Sequence, residues 1–376
     1  MPRFPCATAL LLSVVCTQAV CSETPARRAA PLMPLAAESL LLDIATAGDR
    51  LVAAGERGHV LYSDDAGHQW RQAMVPTTQM LTAVHFVNAS LGWSVGHDGL
   101  ILTSDDGGAT WRIQRDGLAV QHQQNIEQRE AALRRLRSLQ AQLDAAAPDT
   151  PPTTLESAIE DARMDLEDAE LALDEPVFTA PLLDVWFDDE NRGWAVGAFG
   201  TLVATSDGGQ HWSDHSDRLD NPDEFHLNAI IGDGRGRVFI AGEGGVMFRS
   251  DDAGATWESI EPFYEGSWFG LVYEPVSETL LVFGLRGNLF RSADFGRSFE
   301  REPVDTHISL AGGGSDGSGR VVIAGGVGTV LYSQGGGQNF RRSMLEDRLS
   351  LSAGIPREGS LILVGQGGAR VYEVQP

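Results

Sequence analysis

A Gly-x-x-Gly turn returns seven times along this chain, beginning at Gly55, Gly96, Gly197, Gly242, Gly284, Gly325 and Gly365, and no other feature constrains the fold as much. Successive spacings are 41, 101, 45, 42, 41 and 40 residues, so the unit is near 41 residues and one interval carries an insertion of roughly 60. Each unit holds short apolar runs separated by turn residues, as in LLDIATAG, RLVAAG, HVLYSDD and WRQAMV of the first. Such runs are antiparallel strands, and four of them per repeat of this length make a β-propeller blade. A helical-pair repeat of similar period is excluded by the 43 glycines among 376 residues. The predicted fold is all-β, a seven-bladed β-propeller over residues 31–374, with blades near 41–76, 81–117, 182–216, 227–262, 268–303, 308–343 and 351–374. The last repeat lacks a fourth strand, and residues 31–40 are placed to supply it and close the ring.

Five repeats end in S/T-x-D-x-G-x-x-W/F. The acids are Asp65, Asp106, Asp207, Asp252 and Asp294, with Trp70, Trp111, Trp212, Trp257 and Phe299 as the aromatics. A sixth copy keeps Ser333, Gly335, Gly337 and Phe340 but has lost its acid. A carboxylate in a tight turn accepts backbone N–H bonds that would otherwise be orphaned, and the aromatic fills space between sheets, so these residues read as structural. A calcium loop would need a terminal bidentate Glu and flanking helices, which are missing.

This pattern resembles the Asp-box, or BNR-repeat, propellers, a superfamily that includes sialidases, glucanase-type glycosidases and sortilin-type receptors. GWAVGAFGTLVATSDGGQHW, ending at Trp212, reads most like a repeat of the photosystem II stability/assembly factor family, and the repeat ending at Trp111 is a near copy. The resemblance implies a propeller that binds a partner protein without catalysis, in assembly or stabilisation of a membrane complex; a bacterial envelope or exporter complex suits an exported chain equally well.

The insertion, residues 118–177, breaks the β pattern and reads as an antiparallel helical hairpin around PDTPP at 148–152. In the second helix Leu155, Ile159, Ala162, Leu166, Ala169 and Leu173 form a heptad seam, opened by a Thr153/Glu156 capping box. The first helix, expected over 121–147, carries Ala132, Leu136, Leu139 and Leu143 on a matching stripe, and four Arg against three acids. The second carries nine acids against Arg163 alone. In an up-and-down blade the link from one blade to the next leaves on the side of the Gly-x-x-Gly turns, so arm and turn residues should share one surface. Candidate partner-binding residues are therefore Glu56, Arg57, His97, Asp98, Phe199, Glu243 and Arg286.

The net charge of −24, with every basic residue an arginine, opposes binding to nucleic acid or anionic lipid. Cys6, Cys16 and Cys21 lie within the first 21 residues, a stretch with one charge, Arg3, and an apolar run over 7–15, which reads as a signal peptide directing the chain to a periplasmic or secreted location. Neither Cys16 nor Cys21 follows a small residue, so soluble export is expected over lipid attachment. No metal set or cofactor motif stands out: His211 and His215 are four apart on a strand end, and the Gly-x-x-Gly turns lack the helix and Lys of a phosphate cradle. The competing reading is an Asp-box glycoside hydrolase, for which Asp98 with Glu56 or Glu243 would supply the paired carboxylates. A carbohydrate-binding receptor is a third.

Overall fold

The computed structural model describes residues 27–145 and 153–374; the expected signal peptide with its three cysteines and the breaker at 148–152 lie outside them. Seven antiparallel sheets follow one another along the chain. Six have four strands, within residues 41–72, 81–115, 182–214, 227–259, 268–301 and 310–344, and the seventh, within 351–373, has three. We call them blades 1 to 7.

The second strand of each blade, such as Arg50–Gly55 or Val238–Gly242, is a near-continuous apolar run because both of its faces are buried. Alternation then sends successive side chains to opposite neighbours. In blade 1, Leu51 and Ala53 pack with Ile355, Ile362 and Val364 of blade 7, whereas Val52 and Ala54 pack with Leu81, Val84 and Phe86 of blade 2. The propeller core accordingly divides into seven clusters, one in each seam between adjacent blades. Each fully buried Leu, Ile or Phe in them contributes about 1.5–3 kcal/mol.

Ring closure departs from expectation. Residues 31–40 add no fourth strand to blade 7; Pro31 and Pro34 have no N–H to give a ladder. The segment instead makes a short 3₁₀ turn, Ala36–Glu38, whose Ala36 joins the apolar seam between blades 7 and 1. The Ala37 carbonyl occupies the space a Cβ on Gly368 would need, so the turn lies directly over the third strand of blade 7.

The inserted arm consists of α1, Gly117–Asp144, and α2, Thr153–Asp174. Helix α1 starts four residues before the expected position because the Asp116 carboxylate caps it, accepting from Leu118 N at 3.1 Å. The pairs Asn125 with Ala172, Arg129 with Glu170 and Arg135 with Asp165 run in opposite directions along the two helices, so they are antiparallel. Leu136, Ile159 and Ala162 form the buried seam, flanked by Leu139, Leu143, Leu155 and Leu166. The side chain of Thr153, expected to open a capping box, lies outside the described atoms.

The acidic turns hold themselves together. Ser63 Oγ accepts from Gly67 N at 2.9 Å and donates to Asp65 Oδ1 at 2.9 Å, and the same oxygen accepts from Gln69 N at 2.8 Å. The pattern repeats around Asp106, Asp207, Asp252 and Asp294. Blade 6 has no such acid, yet the equivalent N–H, on Asn339, is satisfied at 2.8 Å by Glu302, a buried carboxylate reaching across from blade 5. Glu302→Ala should therefore cost about 1–3 kcal/mol, and adding Gly335→Asp, whose Cβ would meet only ordinary contacts, should restore most of it. Urea denaturation of the single and double variants measures both; no recovery in the double variant would show that Glu302 does not stand in for the missing acid.

Candidate functional site

The seven Gly-x-x-Gly turns bind back to their own blades. The N–H of the first variable residue donates to the carbonyl just before the inner strand: Glu56 to Leu40, His97 to Met80, Ala198 to Pro181, Glu243 to His226, Leu285 to Ser267, Gly326 to Ser309 and Gln366 to Ser350. A methyl group on the leading glycine of any of these turns would collide with that carbonyl, which explains why the motif opens on Gly in all seven.

The second variable residue is left-handed in every blade, including Arg57 (φ 57°), Asp98 (φ 59°), Phe199 (φ 55°), Arg286 (φ 59°) and Val327 (φ 55°). Glycine would hold this geometry without strain, and a bulky or β-branched side chain there costs about 1–2 kcal/mol. Five of the seven turns thus hold a strained side chain on this face, as do Ala66, Ala253 and Phe295 in the acidic turns. Of the residues nominated from sequence, Arg57, His97, Phe199 and Arg286 are exposed, and Glu56, Asp98 and Glu243 are half-buried. Glu56 accepts from Leu40 N at 3.2 Å, and Arg286 N donates to Ser309 Oγ at 3.3 Å. Phe199 N donates to His226 Nδ1 at 3.0 Å, which leaves that nitrogen an acceptor, so its 3.8 Å approach to Glu243 is not an ion pair. Instead His226 N donates to Glu243 Oε2 at 3.3 Å.

The arm rises from this same face. Arg115 Nη1 donates to Gly99 O at 2.6 Å, and Gly117 lies against the Asp98 carbonyl. Arg27 clamps the junction: its Nη1 meets Asp98 Oδ2 at 2.8 Å while Nε and Nη2 grip both oxygens of Asp116, the helix cap, at 2.5 and 2.7 Å. Burial opposes ionisation of Asp116, but the Arg27 bonds outweigh it and hold its carboxyl below the usual range. Beside the arm, Phe178 and Phe199 stand edge to face at 6.4 Å, exposed by 69% and 52%. Arg27, Asp116, Phe178 and His226 had no sequence signal, because each is brought to the face by a loop outside the repeat.

The inner strands enclose a channel cavity of about 450 Å³. Asp43 and Asp184, the third residues of the first strands of blades 1 and 3, line it. Their oxygens accept from Val84 N at 2.9 Å and Ile230 N at 2.8 Å, each in the following blade. Thr82 and Asn228 donate across the intervening and following seams, to Leu182 O and Trp268 O, each at 2.8 Å. Burial raises Asp43 to about 6, and burial together with the charge of Asp43 raises Asp184 to about 8. His85, also in the channel wall, is pushed by burial down to about 4 and stays neutral, Nε2 lying 3.1 Å from Phe187 O. Aligning the repeats would have exposed both acids. Of the two histidines four residues apart, His211 is committed to Asp207 Oδ2 at 2.7 Å. Among the described residues no three His, Cys, Asp or Glu side chains gather as a metal set, and no helix is long and apolar enough to cross a membrane.

Comparison with known proteins agrees with this architecture. The family model described as photosynthesis system II assembly factor YCF48 matches residues 62–134 and 167–263, leaving out the outer part of the arm, residues 135–166. The photosystem II assembly lipoprotein Ycf48 of Synechococcus sp. (strain CC9902) is 28% identical over 191 residues, 49% of this chain, and the chain spans little more than half, 56%, of that relative's length. Among solved structures, YCF48 bound to D1 peptide superposes with a TM-score of 0.59 at 14% identity, covering 93% of this chain and 97% of that one. YCF48 from Cyanidioschyzon merolae gives 0.59 at 15%, covering 93% and 98%.

The channel acids and the acidic turns give stability opposite dependences on pH. Asp43 and Asp184 have raised folded-state values, so the native chain holds more protons than the unfolded one and loses stability as pH rises from about 4 through about 8. Asp207, held down to about 2 by the His211 N–H and imidazole, loses its contribution as pH falls from about 4 toward 2. Asp184→Asn, which keeps an oxygen for the Ile230 N–H but sets its amide against the Val185 N–H that the other carboxylate oxygen accepts, should shift the melting temperature more favourably at pH 8 than at pH 5. Equal shifts at both pH values would show that Asp184 titrates normally.

Proposed function

We propose that this chain, an Asp-box β-propeller that resembles the photosystem II assembly factor family, is an exported, non-enzymatic scaffold that docks a protein of a membrane complex on its Gly-x-x-Gly face and arm. One observation carries the reading. Arg27 ties the cap of α1 to the blade 2 turn, so the arm and the ring of strained turn residues make one surface, on which Phe178 and Phe199 stay exposed. A side chain kept in a costly conformation and offered to solvent suits recognition better than folding. The relatives support a protein partner, since one solved YCF48 carries a bound peptide. The signal-like first 21 residues support export to the periplasm or beyond. Both a photosystem-type assembly and an envelope or exporter complex fit the chemistry.

The candidate acids have structural partners: Asp98 pairs with Arg27, and Glu56 accepts from the Leu40 N–H, which supports a structural use of both. Replacing residues 118–177 by a short Gly/Ser bridge should leave a folded propeller that no longer captures partners from a membrane extract of the source cells; unchanged capture would remove the arm from the mechanism. Turnover of aryl sialosides or β-glucans that disappears in Asp98→Asn or Glu56→Gln would overturn the non-enzymatic reading, and glycan-array binding without turnover would favour a carbohydrate receptor.

A further inference from the structure

Helix α2 carries apolar residues on two sides. One is the seam against α1, formed by Leu155, Ile159, Ala162 and Leu166. At ~100° per residue, Met164 and Leu171 point ~140–160° away from Leu166, and they are 52% and 56% exposed. They stand seven residues apart, two turns or ~10 Å. Around them, at positions three or four away, are the exposed acids Glu160, Glu167, Asp168 and Glu175. The ion pairs of α2 use Glu160, Asp165 and Glu170, so Glu167, Asp168 and Glu175 have none among the described residues. Past the helix end, Phe178 stands exposed beside Phe199 of the propeller.

We propose that this outer strip of α2 docks a basic amphipathic helix of the partner protein, the apolar residues of that helix meeting Met164 and Leu171 and its Lys or Arg residues meeting Glu167, Asp168 and Glu175. The inference rests on the docking reading above and specifies its ligand. Helix α1 already displays the chemistry required: it lays leucines on one side of α2 and sends Arg129 and Arg135 to Glu170 and Asp165 at the edges of that contact. A third helix of the same character would do on the free side what α1 does on the buried one. A second copy of this chain is a poor occupant, since two molecules of net charge −24 repel, and an anionic membrane is opposed for the same reason.

The test uses the full mature chain and a fluorescent synthetic peptide of three heptads, with Leu at the seam positions and Lys or Arg beside them. The wild type should bind it, Met164→Glu/Leu171→Glu should weaken binding at least about tenfold, and Glu167→Gln/Asp168→Asn should weaken it mainly at low salt. Equal binding by the Met164→Glu/Leu171→Glu variant, or by a peptide of the same composition with its heptads scrambled, would overturn the proposal by reducing it to unspecific charge. A dimer in sedimentation that this double variant dissolves would overturn it in favour of a second copy. In the capture assay, loss with the arm deletion but not with the double variant defeats this inference alone, whereas retention by both defeats the docking reading itself.

Discussion

Everything in this molecule depends on sheets that must be covered on both sides. A four-stranded blade with apolar second and third strands cannot face water on either surface, and the only arrangement that gives every blade two neighbours is a closed ring. The clusters make this concrete: Leu51 and Ala53 belong to one seam, Val52 and Ala54 to the next, and the same alternation passes from blade to blade until Ile355, Ile362 and Val364 return to Leu41 and Ile44. Among the described residues no strand is added to blade 7, and the join is made by an apolar seam and by the contact between Ala37 and Gly368.

The hydrogen bonds work at a finer scale. In five blades a single carboxylate satisfies the N–H groups of its own turn, and in blade 6 the same N–H is served from the adjacent blade by Glu302. What the fold demands at that point is an acceptor, not a particular residue, because the bond to a carboxylate fixes the N–H of an otherwise exposed turn. Asp43 and Asp184 obey the same rule across the inner seams, where burial disfavours their charged forms, which is why they push stability toward acid pH.

The Gly-x-x-Gly face is one of the places where the chain accepts left-handed side chains; Ala66, Ala253 and Phe295 do so in the acidic turns. The leading glycines are dictated by the carbonyls pressed against them, but nothing in the packing asks for Arg57, Phe199, Arg286 or Val327 in the left-handed position. The arm is anchored among these residues, with one apolar strip of α2 satisfied by α1 and the other open. Left-handed side chains also occur in the acidic turns, so what sets this face apart is that Arg57, Phe199 and Arg286 are exposed there beside the uncovered Phe178, and the proposed docking surface rests on that combination.

Much of this was legible in the residues alone, for a definable reason. Strand alternation, the Asp-Gly turns and the heptad spacing of the arm are local: their partners lie within a few residues or one repeat, so their chemistry is written as a pattern, and the all-β propeller and the helix pair could be read from it. The features that tertiary structure decided join residues far apart in sequence. Arg27 meets Asp98 and Asp116 across 71 and 89 positions, Glu302 reaches Asn339 across 37, and Asp184 reaches Ile230 across 46. The turn at Ala36–Glu38 replaces a strand for the same reason, since its place is set by where blade 7 comes back to blade 1. Such contacts exist only once the ring has closed and brought unrelated loops to one side, and no spacing along the chain encodes which of them will meet.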